Sequence, residues 1–147
     1  MELSKSNELI NQLKSLDLPM EDFAVFASGP MYIHGIKELG HDLDIIARGN
    51  AWVKAIQLGS PENKHQGNGS VVALFNGNIE IFNSWTSEEW DINKLIDEAE
   101  IIDGIKWVKL EEVLKWKRQM NRPKDAEHIR LIEEYLEKIK ASLLQHR

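Results

Sequence analysis

The sequence predicts an α/β or α+β fold, in which a small mixed sheet is flanked by helices and followed by a C-terminal helix pair. Short apolar runs typical of buried strands are mixed with helical stretches before residue 110. An Asn-Gly step lies between two such runs, 71–75 and 79–82, and predicts a hairpin. Beyond them, apolar residues recur every three or four positions, which predicts helices over 110–120 and 123–144.

The other elements follow from the same patterns. Residues 6–16 place leucines and an isoleucine on one stripe, which predicts a helix, and the apolar run 23–27 predicts a buried strand. Ser28-Gly29-Pro30 breaks this strand and opens a second helix, expected to stop near Gly40, because proline is tolerated in a first helical turn. The remaining predictions are a strand over 41–47, a helix over 51–58, a turn-rich stretch with one short strand over 59–69, a helix over 92–99, and short strands over 101–102 and 105–108.

Length and composition favour one domain. A chain of 147 residues suits a single domain over 1–147, with a core at about 20–109 and C-terminal helices at about 110–144. Its hydrophobic fraction of 42% and charged fraction of 29% are typical of a soluble globular protein. Without an apolar run of about 18 residues or a basic, apolar start, we expect no membrane span and no signal peptide, hence a cytoplasmic protein.

Charge and cysteine content exclude several functions. The chain has no cysteine, which rules out disulfides, thiolate nucleophiles and zinc–thiolate sites. Its formal net charge of −6 argues against a protein that grips nucleic acid mainly through phosphates. Cations are concentrated between Lys106 and Lys124, so a local basic patch is compatible with the sequence.

Paired acids are the clearest candidate site. Asp42 and Asp44 are two residues apart on a predicted strand, so they share a face, with α-carbons about 6.6 Å apart. Glu80 lies between two isoleucines on another predicted strand and supplies a third carboxylate if the two strands are close. Three carboxylates can hold a pair of hard cations about 3.5–4 Å apart. The alternative is an Asp-x-Asp pair on an exposed and inert sheet face.

Two further features have both a functional and a structural interpretation. Free backbone N–H groups at the Ser28-Gly29 turn can bind a phosphate, although such a bend also needs glycine for geometry alone. Lys117 lies on the apolar stripe of its predicted helix, and Asp125 begins the inward face of the next. They form either a buried ion pair that joins the helices, or a site where Lys117 contacts a nucleotide triphosphate. The two interpretations are compatible.

These motifs together resemble the nucleotidyltransferase superfamily, in particular the small AbiEii-type and minimal nucleotidyltransferases. Residues 26–37 and 41–46 look like the family's glycine-serine turn, helix and Asp-x-Asp strand. Residues 79–82 are similar to the strand of the third acid, and 108–125 to the C-terminal lysine helix and its Arg-x-Lys-Asp turn. The chain departs from the pattern in having Ser-Gly-Pro at the turn and Glu, rather than the frequent Asp, as third acid.

The resemblance implies a nucleotidyltransferase-like mixed sheet and two Mg²⁺ ions, with Mn²⁺ as an alternative. It implies transfer of a nucleoside monophosphate from a nucleoside triphosphate to an acceptor, with pyrophosphate leaving. The three acids, Asp42, Asp44 and Glu80, are then the catalytic and metal residues, and Glu80 orients or deprotonates the acceptor. Nucleotide binding is assigned to Ser28, Gly29, Lys117 and Asp125.

Several functional alternatives stay open at this point. The acceptor is a small molecule, a protein or a tRNA end, and a protein partner or homo-oligomer is compatible with the short chain. A second candidate is a catalytically weak nucleotide-binding or interaction protein, such as one half of a toxin–antitoxin-type pair. A metal-dependent phosphohydrolase is disfavoured because no histidine–aspartate ligand cluster is present. His34, His41 and Trp85 lie near the predicted site, and packing or surface positions are expected for them.

Overall fold

The computed structural model describes residues 4–63, 69–86 and 89–145, and in them it has seven strands and six helices. The strands are β1 Phe23–Phe26, β2 Leu43–Ala47, β3 Glu62–Asn63, β4 Ser70–Leu74, β5 Ile79–Phe82, β6 Glu100–Ile102 and β7 Ile105–Trp107. The helices are α1 Lys5–Ser15, α2 Gly29–Ile33, α3 Gly49–Leu58, α4 Ile92–Asp97, α5 Leu110–Met120 and α6 Pro123–Gln145. The predicted mixture of strands and helices, with a helix pair at the end, is confirmed.

All seven strands form one mixed sheet in the order β3-β4-β5-β2-β1-β7-β6. The pairs β2–β5 and β1–β7 are parallel, and the other four neighbouring pairs are antiparallel. The predicted hairpin is the β4–β5 pair, closed by hydrogen bonds from Gly77 N–H to the Leu74 carbonyl and from Asn78 N–H to the Phe75 carbonyl. The parallel partner of β5 is β2, so the strand that carries Glu80 lies directly beside the strand that carries Asp44.

The central strands are buried on both faces. On one face, Val25, Leu43, Ile45, Ile79 and Ile81 pack together with apolar residues of α1 and α3. On the other face, the alternate residues of β1 and β2 pack against α2, α4, α5 and α6. Side chains alternate along a strand, so Asp44 and Glu80 lie on the second face, where α5 and α6 also pack. Leu43 points to the opposite, buried face, as the sequence predicts.

The second helix is shorter than predicted. It ends at Ile33 and does not continue to Gly40, because Gly35 adopts a left-handed φ of +76°. The Gly35 N–H bonds the Tyr32 carbonyl at 2.9 Å and the Ile36 N–H bonds the Met31 carbonyl at 2.9 Å. This is a Schellman ending, which uses glycine to satisfy the last helical carbonyls. The released chain, 34–42, then runs to the start of β2.

Other boundaries differ by a few residues. The second strand begins at Leu43, so Asp42 lies just before it and not within it. The fourth helix ends at Asp97, because Glu100 already pairs with Trp107 in the sheet. The turn-rich stretch contains one short strand, β3, as predicted, and its residues 64–68 lie outside the described residues. No helix in the described part of the chain is both long and apolar enough to span a membrane.

Gly29 is required by space in this fold. A Cβ at this position would come closer to Cγ1 of Val25 than real Cβ atoms approach any neighbour. Val25 is fully buried in β1 and has a short, stiff side chain, so it cannot move aside. We expect Gly29→Ala to lower the free energy of unfolding by about 1–3 kcal/mol, the usual cost of overpacking. Urea unfolding measures the loss.

The matched control is Gly40→Ala. A Cβ at Gly40 would meet no atom within 4 Å, so this variant should unfold at the same urea concentration as the wild type. Equal midpoints for the two variants and the wild type would show that the Gly29 turn is not tightly packed.

Candidate active site

Three carboxylates converge at the starts of two central strands, β2 and β5. In the parallel β2–β5 pair, Asp44 lies directly beside Glu80. Asp42 precedes β2 by one residue and completes the group. One carboxylate oxygen from each of the three acids lies within 4.8 Å of the other two. The structure therefore brings together all three acids that the sequence singled out, including the pair that are distant in sequence.

The electrostatics of this acid cluster, Asp42, Asp44 and Glu80, favour a cation. The pKa of Asp42 is raised by partial burial and by the neighbouring negative charge of Glu80, which also shares a hydrogen bond with it. His41 and Lys124 act in the opposite direction with smaller effect. Crowded carboxylate oxygens are the type of ligand set that hard divalent cations prefer.

The turn after β1 presents Ser28 to the same region. Ala27 adopts a left-handed φ of +55°, an uncommon conformation for a residue with a side chain. It is held by burial of its methyl group, and the backbone then reverses into α2. Such strained non-glycine residues are concentrated at functional sites, where the surrounding structure maintains them. The residue after Ala27, Ser28, accepts a hydrogen bond at Oγ from Lys117 of α5.

Lys117 is a buried cation beneath this turn. Its side chain is 1% exposed, and its Nζ lies 3.1 Å from Ser28 Oγ and 2.9 Å from His128 Nδ1. Asp125, which is fully buried, has Oδ1 at 3.7 Å from the same Nζ. Burial lowers the pKa of Lys117 to about 8, and the charge of Asp125 opposes part of that shift. The predicted ion pair between α5 and α6 is present.

Asp125 is held ionised by Arg122. The Arg122 side chain donates from Nε and Nη2 to the two carboxylate oxygens at 2.7 and 3.0 Å, and its backbone N–H donates at 2.9 Å. Burial alone would raise the pKa of Asp125, but these hydrogen bonds outweigh it and hold the pKa below the usual value. Asp125 thus binds two cations at once. Its observed contacts are to protein groups, and its assignment to nucleotide binding stays a prediction.

A cavity of about 370 Å³ is lined by two of the acids and by a group of cations. Asp42 and Asp44 line one part of it, together with the Ser28-Gly29 turn. The other walls include the cationic residues Lys37, Arg122 and Lys124, with His128 and the ring of Trp116. Arg122 also lies 4.9 Å from the centre of that ring. The cavity is therefore lined by both acids and cations, and we refer to Lys37, Arg122, Lys124 and His128 together as its basic side.

Four residues of the basic side were not assigned to the site from the sequence. Lys37 lies shortly after α2, and no motif in the sequence assigned it a role. Arg122 and Lys124 were interpreted as surface charges that flank a turn. His128 had a usable signal, because it is three residues after Asp125 and therefore on the same face of α6. Burial, together with the charges of Lys117 and Lys37, lowers the pKa of His128 to about 4.

The remaining candidates from the sequence occupy packing or surface positions. His34 lies between Tyr135 and Glu100, with Nδ1 3.2 Å from the tyrosine hydroxyl and Nε2 3.1 Å from a carboxylate oxygen. Trp85 is buried in an aromatic group, its ring centre 4.8 Å from that of Phe26. His41 is exposed at the mouth of the cavity.

The low pKa of His128 makes the fold sensitive to acid. The unfolded chain binds a proton on this ring below about pH 6.5, whereas the folded chain does so only near pH 4, so stability falls as pH decreases between these values. We expect the wild type to lose up to about 2 kcal/mol more than His128→Asn between pH 7 and 5. Asparagine keeps an acceptor for Lys117 but cannot be protonated.

Urea unfolding of both proteins at the two pH values gives the difference directly. Carboxylates titrate equally in the two proteins and cancel in this comparison. An identical loss of stability in wild type and variant would mean that His128 is not held neutral in the fold.

No protein-family model, curated protein or solved structure matches this chain. What the site does must therefore be argued from its own residues. Its distinguishing features are the acid cluster at the starts of β2 and β5, the strained turn at Ser28, and the cations that line the cavity.

Proposed function

We propose that the protein is a metal-dependent nucleotidyltransferase with a nucleotidyltransferase-like fold, which moves a nucleoside monophosphate from a nucleoside triphosphate to an acceptor. One observation carries the proposal. The oxygens of Asp42, Asp44 and Glu80 converge within 4.8 Å at the edge of a cavity whose other walls carry cations. A phosphoryl group binds between metal ions and cations in this type of transfer, because charge stabilisation dominates its catalysis.

The donor set fits Mg²⁺, with Mn²⁺ as an alternative. Three carboxylates supply the oxygen ligands that these hard ions prefer. The pKa of Asp42 is raised by burial and then by repulsion from Glu80, and a bound cation would relieve that repulsion. Bound divalent ions, two in this proposal, would activate the attacking hydroxyl and neutralise charge on the phosphates. Asp42 and Asp44 would hold them from one side, and Glu80 from the neighbouring strand.

The protein's own residues account for binding and proton transfer. The basic side of the cavity, with Lys37, Arg122 and Lys124, would hold the phosphates that leave as pyrophosphate. Glu80 would accept the proton of the acceptor hydroxyl. The hydroxyl oxygen of the acceptor would at the same time bond to the α-phosphorus, and the bond from that phosphorus to pyrophosphate would break. A volume of about 370 Å³ lies in the range of small-molecule sites. The acceptor is proposed to be a small molecule, a protein or a tRNA end.

A second candidate is a catalytically weak nucleotide-binding or interaction protein, for example one half of a toxin–antitoxin-type pair. The last turns of α6 favour it. There, Ile139, Leu143 and Leu144 are 42%, 67% and 58% exposed, although the helix is regular to Gln145. Exposed apolar residues grouped at a helix end are typical of a surface that contacts another chain. Such a protein would bind a nucleotide and Mg²⁺ without transferring it.

Transfer of label distinguishes the two candidates. The protein is incubated with Mg²⁺, a cell extract and nucleoside triphosphates labelled on the α-phosphate. We expect label on an extract component with wild type, and a decrease of more than about 100-fold with Asp42→Ala/Asp44→Ala, because both metal ligands are lost. Asp103→Asn, an exposed acid in the β6–β7 turn, is the control and should keep full activity. Nucleotide binding without any transfer would favour the second candidate.

Metal binding should reverse the effect of an acid substitution on stability. In EDTA, Asp42→Asn removes one of the repelling charges, and we expect it to raise the free energy of unfolding by up to about 1 kcal/mol. In Mg²⁺, the wild type should gain stability by binding, and the variant should gain much less. Urea unfolding in both buffers tests this.

The outcome that contradicts it is specific. If Mg²⁺ stabilises wild type and Asp42→Asn equally, the ion binds elsewhere. Asp103→Asn again serves as the control for a charge removed from the surface, and it should respond to Mg²⁺ as the wild type does.

A further inference from the structure

Lys117 has no direct access to a ligand. Its side chain is 1% exposed, and its ammonium group is surrounded by Ser28, His128 and Asp125. An ammonium group has three donors and no acceptor. Two of its donors are used by Ser28 Oγ and His128 Nδ1, and the carboxylate of Asp125 takes the third direction at 3.7 Å. A phosphate in the cavity would therefore meet the residues above Lys117.

The contact with Lys117 fixes the hydrogen positions of those two residues. Because Lys117 can only donate, Nδ1 of His128 must accept, and a neutral imidazole then carries its one proton on Nε2. In the same way, Ser28 Oγ accepts from Lys117, which leaves its own O–H to donate in another direction. Both side chains line the cavity. The buried ammonium group of Lys117 thus makes two groups that could donate or accept available to the cavity as hydrogen-bond donors.

We propose that the Ser28 hydroxyl and His128 Nε2–H form a donor pair that binds a phosphoryl oxygen, and that Lys117 is the positioning residue which orients both. The identity of the ligand as a nucleoside triphosphate or its pyrophosphate product rests on the proposed function. The donor pair lines the same cavity as Lys37, Arg122 and Lys124, so an anion bound there is also attracted by their charge. Asp125, which is itself held by Arg122, pairs with the buried Lys117.

The geometry favours this arrangement over a merely structural role for His128. A histidine that only filled space would need no fixed tautomer and no position on the cavity wall. Here Nδ1 is used by Lys117 at 2.9 Å, and the ring lies at the cavity with its other nitrogen left to donate. A neutral donor suits this place, because a charged imidazolium would be repelled by Lys117.

The first experiment reads the tautomer in the free protein. Nitrogen-15 NMR of the histidine rings should show His128 protonated on Nε2 and unprotonated on Nδ1 at pH 7. In Lys117→Met the fixed tautomer should give way to a mixture, while Asp125 stays paired with Arg122. A protonated Nδ1 in the wild type would overturn the proposal.

The second experiment uses a pair of variants with opposite effects. Asparagine at position 128 places an acceptor near Nδ1 and keeps the contact with Lys117, but it lacks a donor at Nε2. Glutamine places its amide N–H near Nε2 and keeps the cavity donor. Binding of inorganic pyrophosphate with Mg²⁺ is measured by calorimetry. We expect His128→Gln to bind within about threefold of wild type, and His128→Asn and Ser28→Ala to bind about tenfold more weakly, the loss of one charged hydrogen bond.

The reverse order, with asparagine binding as tightly as wild type and glutamine weakly, is what a structural role predicts and would overturn the donor pair. Absence of pyrophosphate binding by wild type would do the same. The proposed function fails separately. If the variants follow the expected order but wild type transfers no label from nucleoside triphosphates, the donor pair stands and the nucleotidyltransferase does not. If wild type transfers label and His128→Asn has an unchanged KM for the nucleoside triphosphate, the nucleotidyltransferase stands and the donor pair does not.

Discussion

The site depends on the parallel pairing of β2 with β5. Parallel register puts Asp44 beside Glu80, so two acids that are far apart in sequence become neighbours on adjacent strands. Like charges at this position destabilise a sheet by up to about 1 kcal/mol. The same strands bury Ile45, Ile79 and Ile81 completely on the opposite face, and each such side chain stabilises by about 1.5–3 kcal/mol. The stabilisation from burying these isoleucines therefore exceeds the repulsion between the acids, and the sheet can hold the acids together.

A second constraint is the full burial of Asp125. A buried carboxylate without partners is costly, so both Arg122 and Lys117 are drawn to it. This joins the end of α5 to the start of α6 and fixes the bend between them. The same bend places Arg122 and Lys124 on the cavity wall. Two of the cations of the cavity thus owe their position to the partners of one buried aspartate.

The sequence was informative wherever a local rule applies. Alternation along a strand predicted that Asp44 and Leu43 face opposite sides, and helical spacing predicted that Lys117 faces inward beside Asp125. Boundaries were less predictable, because the end of α2 depends on the left-handed Gly35, and periodicity alone does not show this. The approach of Glu80 to the aspartates was expected only on condition that the two strands were close. Pairing partners in a mixed sheet are set by tertiary packing, which no local pattern encodes.

The basic side of the cavity illustrates the same limit more sharply. Lys37 and His128 are distant in sequence and reach the same cavity only through tertiary packing. Lys117 was visible as a cation on an apolar stripe, and its two interpretations were a buried ion pair with Asp125 and direct contact with a nucleotide triphosphate. Its 1% exposure changes the second interpretation, because a cation sealed under Ser28 and His128 acts on a ligand through what it does to them. In a buried network each donor determines the next acceptor, so an inward-facing lysine acts mainly by orienting its neighbours.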